Sequence, residues 1–391
     1  MNGFKKICAA LVGMVFFAAG ILKLMDPLGT GLIVQEYLKF FHLTFLSGLA
    51  TASGLAVSLF ETILGAALIC GIRRRAVAKI SLVILLIFSV ITAILWIAGA
   101  QMDCGCFGNF VQLKPWQSFV KNLVLLGLWS LAFLPMKDLG EPRKAKYAAF
   151  AIGAVSVALF GLYSALSLPL VDFGTYKPGT ELLGASDENF DDITGAVYSK
   201  NGREGVFTPD CPPDSTWKFV RYETYDRGFI DSDAPRPLLS FYDASGAYAD
   251  SLALSGKVML VSAYAPEKLS AARLKKISGF ASAAQKNGFT LLFLVAGSPE
   301  TSAINEPALA AGTYFADRLA LLNLNRSNGG VTFVSDGLIC DKWSARALPK
   351  DEHLASLAQK DPVEYMGAQS RKGKVRLQAF LLYTFAAMLL L

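Results

Sequence analysis

The stretch Ala76–Ala100 reads AVAKISLVILLIFSVITAILWIAGA and contains a single charged residue, Lys79. A helix needs about 20 consecutive apolar residues to cross the hydrocarbon core of a bilayer, because lipid cannot satisfy unpaired backbone groups. This stretch is long enough and predicts a transmembrane helix. The bilayer is therefore the first expected partner of the chain.

Several other runs have the same character. They are Ile7–Leu24, Gly48–Ile72, Trp116–Leu134, Tyr147–Leu168 and a shorter one, Leu377–Leu391. Charged residues make up only 17% of the chain, against about 25% in soluble proteins. The sequence thus predicts an integral membrane protein with five spans and a sixth at the C-terminus. No small-residue cleavage site follows the first run, which is expected to remain as an anchor.

Basic residues cluster on alternate connections between the predicted spans. They are Lys5, Lys6, Arg73–Arg75, Lys79, Arg143, Lys144 and Lys146. The positive-inside rule then predicts a cytoplasmic N-terminus, with Met25–Ser47, Gln101–Pro115 and the chain after Leu168 outside. One basic cluster would lie on the outer side, against this rule; it consists of Arg371, Lys372, Lys374 and Arg376. The rule loses force beside long translocated domains, so the predicted orientation is kept. These flanks account for most of the net charge of +6, which favours topology signals over nucleic-acid binding.

The predicted outer loop contains Cys104 and Cys106 within the hexapeptide DCGCFG, residues 103–108. Two thiols one residue apart can close only a small ring, for which Gly105 provides backbone freedom. A disulfide that departs from relaxed geometry is easier to reduce, and labile disulfides are the exchange-competent kind. The spacing favours a redox-active pair. A structural disulfide, two inert thiols and a metal site remain alternatives, although only His42 could add a ligand on this side.

Charged residues near the pair should give its two thiols different pKa values. Lys114 should lower a thiol pKa and Asp103 should raise it, so Cys106, which is farther from Asp103, is expected to be the more reactive. The remaining cysteines are Cys8, Cys70, Cys211 and Cys340. Cys8, Cys70 and Cys340 are predicted to be buried. Cys211 lies in a loop, where it is either incidental or a resolving thiol.

Ionisable residues inside the spans are the second signal. Lys23 and Asp26 lie at the outer end of the first span, and Glu61 lies within the second. Such residues are costly in lipid and usually face a partner or a polar cavity. Glu61 is expected either to form a buried ion pair with Lys23 or Lys121, or to carry protons.

These residues also carry a family resemblance over residues 4–135. The matching segments are Gly20–Lys23, Asp26-Pro27, Phe60-Glu61, Arg73–Arg75, Asp103–Gly108, Trp116 and Lys121-Asn122. This part resembles the methylamine-utilisation MauE family, within the wider DoxX-like group of four-helix membrane proteins. The resemblance implies a four-helix bundle and a redox partnership with exported proteins, rather than methylamine metabolism.

The chain after Leu168 has a mixed α/β pattern. Strands are predicted at Leu238–Tyr242, Val258–Tyr264, Phe289–Ala296, Val331–Val334 and Leu338–Trp343, helices at Ser270–Asn287 and Lys350–Gln359, and a hairpin at Asn201-Gly202. The strand–helix–strand order at 258–296 predicts parallel strands.

This order resembles thioredoxin, as does the run from Asp317 to Trp343. The resemblance fails at the active site, because Ala265–Lys268 replaces the expected C-x-x-C dithiol and Asn328–Gly330 replaces the expected proline. The domain is therefore not expected to exchange disulfides itself.

The predicted organisation has four parts: a four-helix MauE/DoxX-like bundle over 1–136, a cytoplasmic loop and fifth span over 137–170, an extracytoplasmic thioredoxin-like domain over 171–370, and a C-terminal span over 371–391. The expected location is the bacterial inner membrane with the large domain in the periplasm. The leading hypothesis is thiol–disulfide exchange with an exported partner through Cys104 and Cys106, with Gly105 as support. A quinone in the bundle is an added expectation. The alternative is a non-enzymatic scaffold that recruits partners.

Overall fold

The computed structural model contains a helical bundle followed by a mixed α/β domain. It describes residues 3–100, 102, 104–108, 110–111, 113–136, 144–169, 172, 174–184, 193–200, 203–207, 218–225, 236–298 and 312–369, with isolated positions beyond 370. We call the part from residue 172 to 369 the globular domain.

The bundle consists of six α-helices. They are α1 (Gly3–Met25), α2 (Pro27–Phe40), α3 (Ala50–Cys70), α4 (Arg74–Ile97), α5 (Pro115–Phe133) and α6 (Lys144–Leu166), with a 3-10 helix at Thr44–Leu49. Among the described residues, α1, α3 with the 3-10 helix, α4 and α6 are long and apolar enough to cross a membrane. α5 coincides with the predicted fourth span but is not among them; its first turns are polar, with Gln117, Lys121 and Asn122. The predicted last span lies almost entirely outside the described residues.

α1 is the central helix and packs against both α3 and α5, while α4 packs on α5 and α6 packs on α3. Glycines bring α1 and α3 together. A Cβ added to Gly13 would lie 2.9 Å from the carbonyl oxygen of Gly65, and one added to Gly20 would lie 2.7 Å from the backbone nitrogen of Thr62. Small residues of this kind let helix backbones approach closely in membrane bundles.

α2 lies in the segment Met25–Ser47, for which the expectation of a loop between spans is wrong. The carboxylate of Asp26 ends the first helix and caps the second, since its Oδ1 accepts a hydrogen bond from Gly29 N at 2.9 Å. Pro27 at the first helical position suits this start. α2 packs on α3, with Gly31 against Thr51, so the segment has a fixed place on the bundle.

The globular domain is built on a six-stranded sheet. Its strands are β6 (Phe241–Tyr242), β7 (Lys257–Ala263), β8 (Thr290–Ala296), β9 (Thr313–Ala316), β10 (Gly330–Ser335) and β11 (Leu338–Trp343), in the order β11-β10-β7-β8-β9-β6. β7, β8 and β9 are parallel, and the outer three strands are antiparallel to their neighbours.

Helices and smaller sheets complete this domain. The helices are α7 (Ala271–Lys286), α8 (Arg318–Leu324) and α9 (Asp351–Gln359), and the short strands are β1 (Leu183–Gly184), β2 (Ile193–Lys200), β3 (Arg203–Phe207), β4 (Lys218–Tyr225) and β5 (Arg236–Pro237). β2 pairs with β3 and β4, and β1 pairs with β5. Buried apolar side chains cover both faces of the large sheet, with Ile277 and Phe333 on one face and Leu260 and Leu321 on the other.

The predicted strand–helix–strand crossover is confirmed, because α7 joins the parallel strands β7 and β8. The hairpin β2–β3 also forms, with Lys200 paired to Arg203; its turn residues Asn201 and Gly202 lie outside the described part. The α/β class of the domain is as predicted. Its likeness to thioredoxin stays a prediction.

Candidate functional site

The loop between α4 and α5 carries the cysteine pair. Gly105 and Gly108 have φ angles of +60° and +59°, which non-glycine residues rarely adopt. A Cβ at Gly105 would also lie 2.5 Å from Ile33 of α2. The loop is closed by a hydrogen bond from Cys104 N to Leu113 O at 3.0 Å. Glycine is thus required here both for the turn and for the close approach of α2.

Cys104 and Cys106 are brought together as the sequence predicts. Their Sγ atoms are 3.2 Å apart and not bonded to each other, and a disulfide would require about 1 Å of further approach. Cys104 is 5% exposed, whereas Cys106 is half-buried. The Tyr37 hydroxyl of α2 donates to Cys104 O at 2.6 Å and lies 3.5 Å from its Sγ. Cys106 is therefore the accessible member.

The two thiols have opposite electrostatic environments. The hydrogen bond from Cys104 lowers the pKa of Cys106 to about 4, helped by the charge of Lys121 and by Ser118 and opposed by burial. The same hydrogen bond, together with burial, raises the pKa of Cys104. Ser118 Oγ lies 3.4 Å from Cys106 Sγ in the N-terminal part of α5, where the helix dipole also favours an anion. These surroundings favour the thiolate at Cys106 over a thiolate at Cys104.

A small cavity connects this thiolate with charges inside the bundle. Its volume is about 30 Å³, and its polar lining consists of Lys23, Glu61, Cys106, Lys121 and Asn122. Lys23 Nζ donates to both carboxylate oxygens of Glu61, at 2.7 and 3.0 Å, and both side chains are buried. The predicted ion pair of Glu61 is confirmed, with Lys23 as its partner. Lys121 Nζ lies 5.0 Å from the centre of the Phe107 ring.

The globular domain contacts the bundle at the end that carries the cysteine pair, which we call the thiol end. Asp26 Oδ2 accepts hydrogen bonds from Arg326, at 3.1 Å from Nε and 3.0 Å from Nη2. A second ion pair joins Asp172, which follows α6, to Lys342 of β11 at 2.6 Å. The Arg326–Asp26 pair holds the domain on the segment that leads into α2, whereas the Asp172–Lys342 pair fixes the start of the domain on its own sheet.

Arg326 lies just before Asn328–Gly330, the residues that stand where thioredoxin has a proline. Among these residues, Asn328 exchanges two hydrogen bonds with Ala265, from Ala265 N at 3.1 Å and to Ala265 O at 2.7 Å. Residues Pro266–Lys268, at the position where thioredoxin has its C-x-x-C dithiol, form a 3-10 helix. The two replaced segments are therefore neighbours, close to the contact with the bundle.

Comparison with known families separates the two parts of the chain. Residues 1–135 match the family model described as methylamine utilisation protein MauE. This MauE-like part includes α1 to α5 and every charged residue of the cavity. With its apolar helices it indicates a multi-pass membrane protein. A second model, described as a domain of unknown function (DUF8463), matches residues 196–225. No curated protein and no solved structure matches the chain.

Sequence reasoning found the thiols and the ion pair of the MauE-like part but missed their surroundings. Tyr37, Ser118 and Arg326 have no local pattern that marks them as neighbours of the site. The cations that act on Cys106 are Lys121 and, more weakly, Lys23, whereas Lys114 is exposed at the start of α5. Asp103 and Cys211 lie outside the described residues. Within the described part, no three metal-ligating side chains lie together.

Three further cysteines, all described by the structure, are buried as the sequence predicts. Cys8 and Cys70 are each 3% exposed, and Cys340 is fully buried on β11. Burial raises the pKa of Cys340 to about 11, which keeps it as a thiol at neutral pH. These three residues have the character of packed side chains rather than reactive groups.

Proposed function

We propose that this protein exchanges disulfides with exported proteins through Cys104 and Cys106. The observation that supports the proposal most is the pair itself: two thiols 3.2 Å apart, one half-buried with a lowered pKa and one buried with a raised pKa. A low-pKa attacking thiol beside a second thiol that can resolve a mixed disulfide is the arrangement that exchange requires.

The exchange has two steps. The Cys106 thiolate attacks one sulfur of a partner disulfide, whose S–S bond breaks, and the departing partner thiolate takes up a proton. Cys104 then loses its proton and attacks Cys106 Sγ, which forms the Cys104–Cys106 bond and releases the second partner sulfur as a thiol. Two electrons pass from the pair to the partner. The same two steps in reverse order form a disulfide in the partner.

The proposal places the thiol end in the periplasm of a bacterium, with the N-terminus in the cytoplasm. The basic residues Lys5, Lys6 and Arg73–Arg75 support this orientation. The globular domain contacts the thiol end at Asp26, so both would lie in the same compartment. This domain would recruit the exported partner without exchanging disulfides itself, since Ala265–Lys268 contains no cysteine.

A quinone does not fit the cavity beside Cys106. Its volume of about 30 Å³ holds one or two water molecules, whereas a benzene-sized cavity measures about 150 Å³. We propose the disulfide or dithiol of a partner protein as the electron acceptor or donor of the pair.

Trapping in cells tests the proposal. The full-length Cys104→Ser variant should accumulate mixed disulfides with exported proteins through Cys106, because the resolving thiol is missing. The matched control is the Cys104→Ser/Cys106→Ser double variant, which should give none. Reducing-agent-sensitive adducts, identified by mass spectrometry, are the readout. Equal adducts in both variants, or none in either, would favour the alternative of a scaffold protein.

A further inference from the structure

The cavity beside Cys106 contains more positive than negative side chains. Lys23 and Lys121 supply two ammonium groups, and Glu61 supplies one carboxylate. Both oxygens of Glu61 are bound to Lys23. Among the described residues, no carboxylate lies within ion-pair distance of Lys121, whose Nζ faces the ring of Phe107.

An unbalanced charge is costly in such a place. Lys121 is half-buried, and α4 contributes only the apolar side chains of Leu85 and Phe88 to the lining. On the α2 side, the described titratable groups are Tyr37, which donates a hydrogen bond to Cys104, and the exposed Glu36 beside it. Among the described residues that line the cavity, Cys106 is the one other group that can carry a negative charge. As a thiolate it makes the set of Lys23, Glu61, Lys121 and Cys106 neutral.

We propose that Lys121 is a positioning residue whose charge holds Cys106 as the thiolate and thereby favours the reduced state of the pair. This inference rests on the proposed exchange function and adds a direction to it. A couple whose reduced form is stabilised is a strong oxidant. The favoured reaction is therefore oxidation of a partner dithiol: the Cys104–Cys106 bond breaks, the partner disulfide forms, and two electrons move to the pair.

The proton balance makes this role measurable. Oxidation of a pair that starts as one thiol and one thiolate releases one proton, from Cys104, with two electrons. Reduction of oxidised glutathione to two thiols consumes two protons. The equilibrium constant for oxidation of the pair by oxidised glutathione should therefore fall tenfold for each unit rise in pH. A pair that starts as two thiols would release two protons, and its constant would not depend on pH.

The experiment titrates the full-length protein in nanodiscs with glutathione buffers between pH 6 and 7.5, reading the oxidation state by alkylation. Wild type should show the tenfold change per pH unit. Lys121→Met should weaken this dependence and raise the constant at pH 7 at least tenfold, because the reduced state loses its thiolate. Lys121→Arg should behave as wild type, since arginine keeps the charge. Lys114→Met, at an exposed lysine near the same loop, is the matched control and should also behave as wild type.

The outcomes separate this inference from the function on which it rests. A wild-type constant that is independent of pH would overturn the inference without any variant. A folded Lys121→Met protein with wild-type constants at every pH would also overturn it. If the wild-type pair does not equilibrate with glutathione at all, the proposed function fails, whatever the role of Lys121.

Discussion

The guanidinium group of Arg326 binds Asp26 Oδ2 through Nε at 3.1 Å and through Nη2 at 3.0 Å, and these residues are 300 positions apart in the chain. Arg326 belongs to the globular domain, whereas Asp26 joins α1 to α2. The side chains are 7% and 19% exposed. Because α2 also contacts both Cys104 and Gly105, this ion pair links the globular domain to the helix that covers the cysteine pair.

We expect the Arg326→Met substitution to lower the free energy of unfolding by about 3 kcal/mol, because it removes the guanidinium group bound to the largely buried carboxylate of Asp26. The Asp26→Asn variant tests the same pair and keeps a residue that can cap α2. The coupling energy from the double-mutant cycle is the measurement. The exposed pair Lys286–Asp351, at 3.6 Å, is the control; Lys286→Met should change stability by less than about 0.5 kcal/mol. A coupling energy near zero would contradict the role of this contact.

The buried Lys23–Glu61 ion pair in the bundle should be as sensitive to substitution as the Arg326–Asp26 pair. Glu61→Gln leaves the Lys23 ammonium buried without a counter-charge, so we expect a loss of about 3 kcal/mol in stability. Glu36→Gln, at an exposed position of α2, should be tolerated. Thermal unfolding of the two detergent-solubilised variants gives the comparison. Adding Lys23→Met to Glu61→Gln should restore part of the loss, and equal tolerance of Glu61→Gln and Glu36→Gln would refute the prediction.

The two thiols should differ in their response to pH. The pKa of Cys106 is lowered to about 4, so its thiolate fraction, and hence its alkylation rate by iodoacetamide, should be constant between pH 6 and 8. A thiol with an ordinary pKa of about 8.5 reacts almost tenfold faster per pH unit in this range. Cys104, whose pKa is raised, should react slowly at every pH.

Peptide mapping by mass spectrometry can follow each cysteine separately. The Cys104→Ser variant keeps a hydrogen-bond donor beside Cys106 and reports on Cys106 alone, whereas Cys106→Ser reports on Cys104. A rate for Cys106 that climbs steeply from pH 6 to 8 would show that its thiol is not ionised at neutral pH.

Orientation can be tested with reporter fusions. A reporter fused after Lys137 should be active only in the cytoplasm, and one fused after Lys200 only outside, because the basic residues of the MauE-like part favour a cytoplasmic N-terminus. Enzymes that work in one compartment each give complementary readouts. The reverse pattern would place Cys104 in a reducing compartment and end the proposal of disulfide exchange.

The sequence by itself determined five of the six helices of the bundle and the place of the cysteine pair. Long apolar runs leave the backbone no alternative to helix in lipid, so α1, α3, α4, α5 and α6 lie where the runs predict. The hexapeptide with Gly105 and Gly108 predicts a tight loop, because the required φ angles are a local property. The parallel strands β7 and β8 follow for a similar reason, from one strand–helix–strand pattern.

Only the tertiary structure decided which side chains surround the thiols. Helical periodicity does not say which face of α5 meets the loop. The packing decides that Lys121 and Lys23, rather than Lys114, are the cations that act on Cys106. The place of α2 over Cys104 and the contact between Arg326 and Asp26 likewise join segments that no local pattern relates. Contacts of this kind depend on how whole elements pack against one another, whereas propensity and periodicity report only on neighbours within an element.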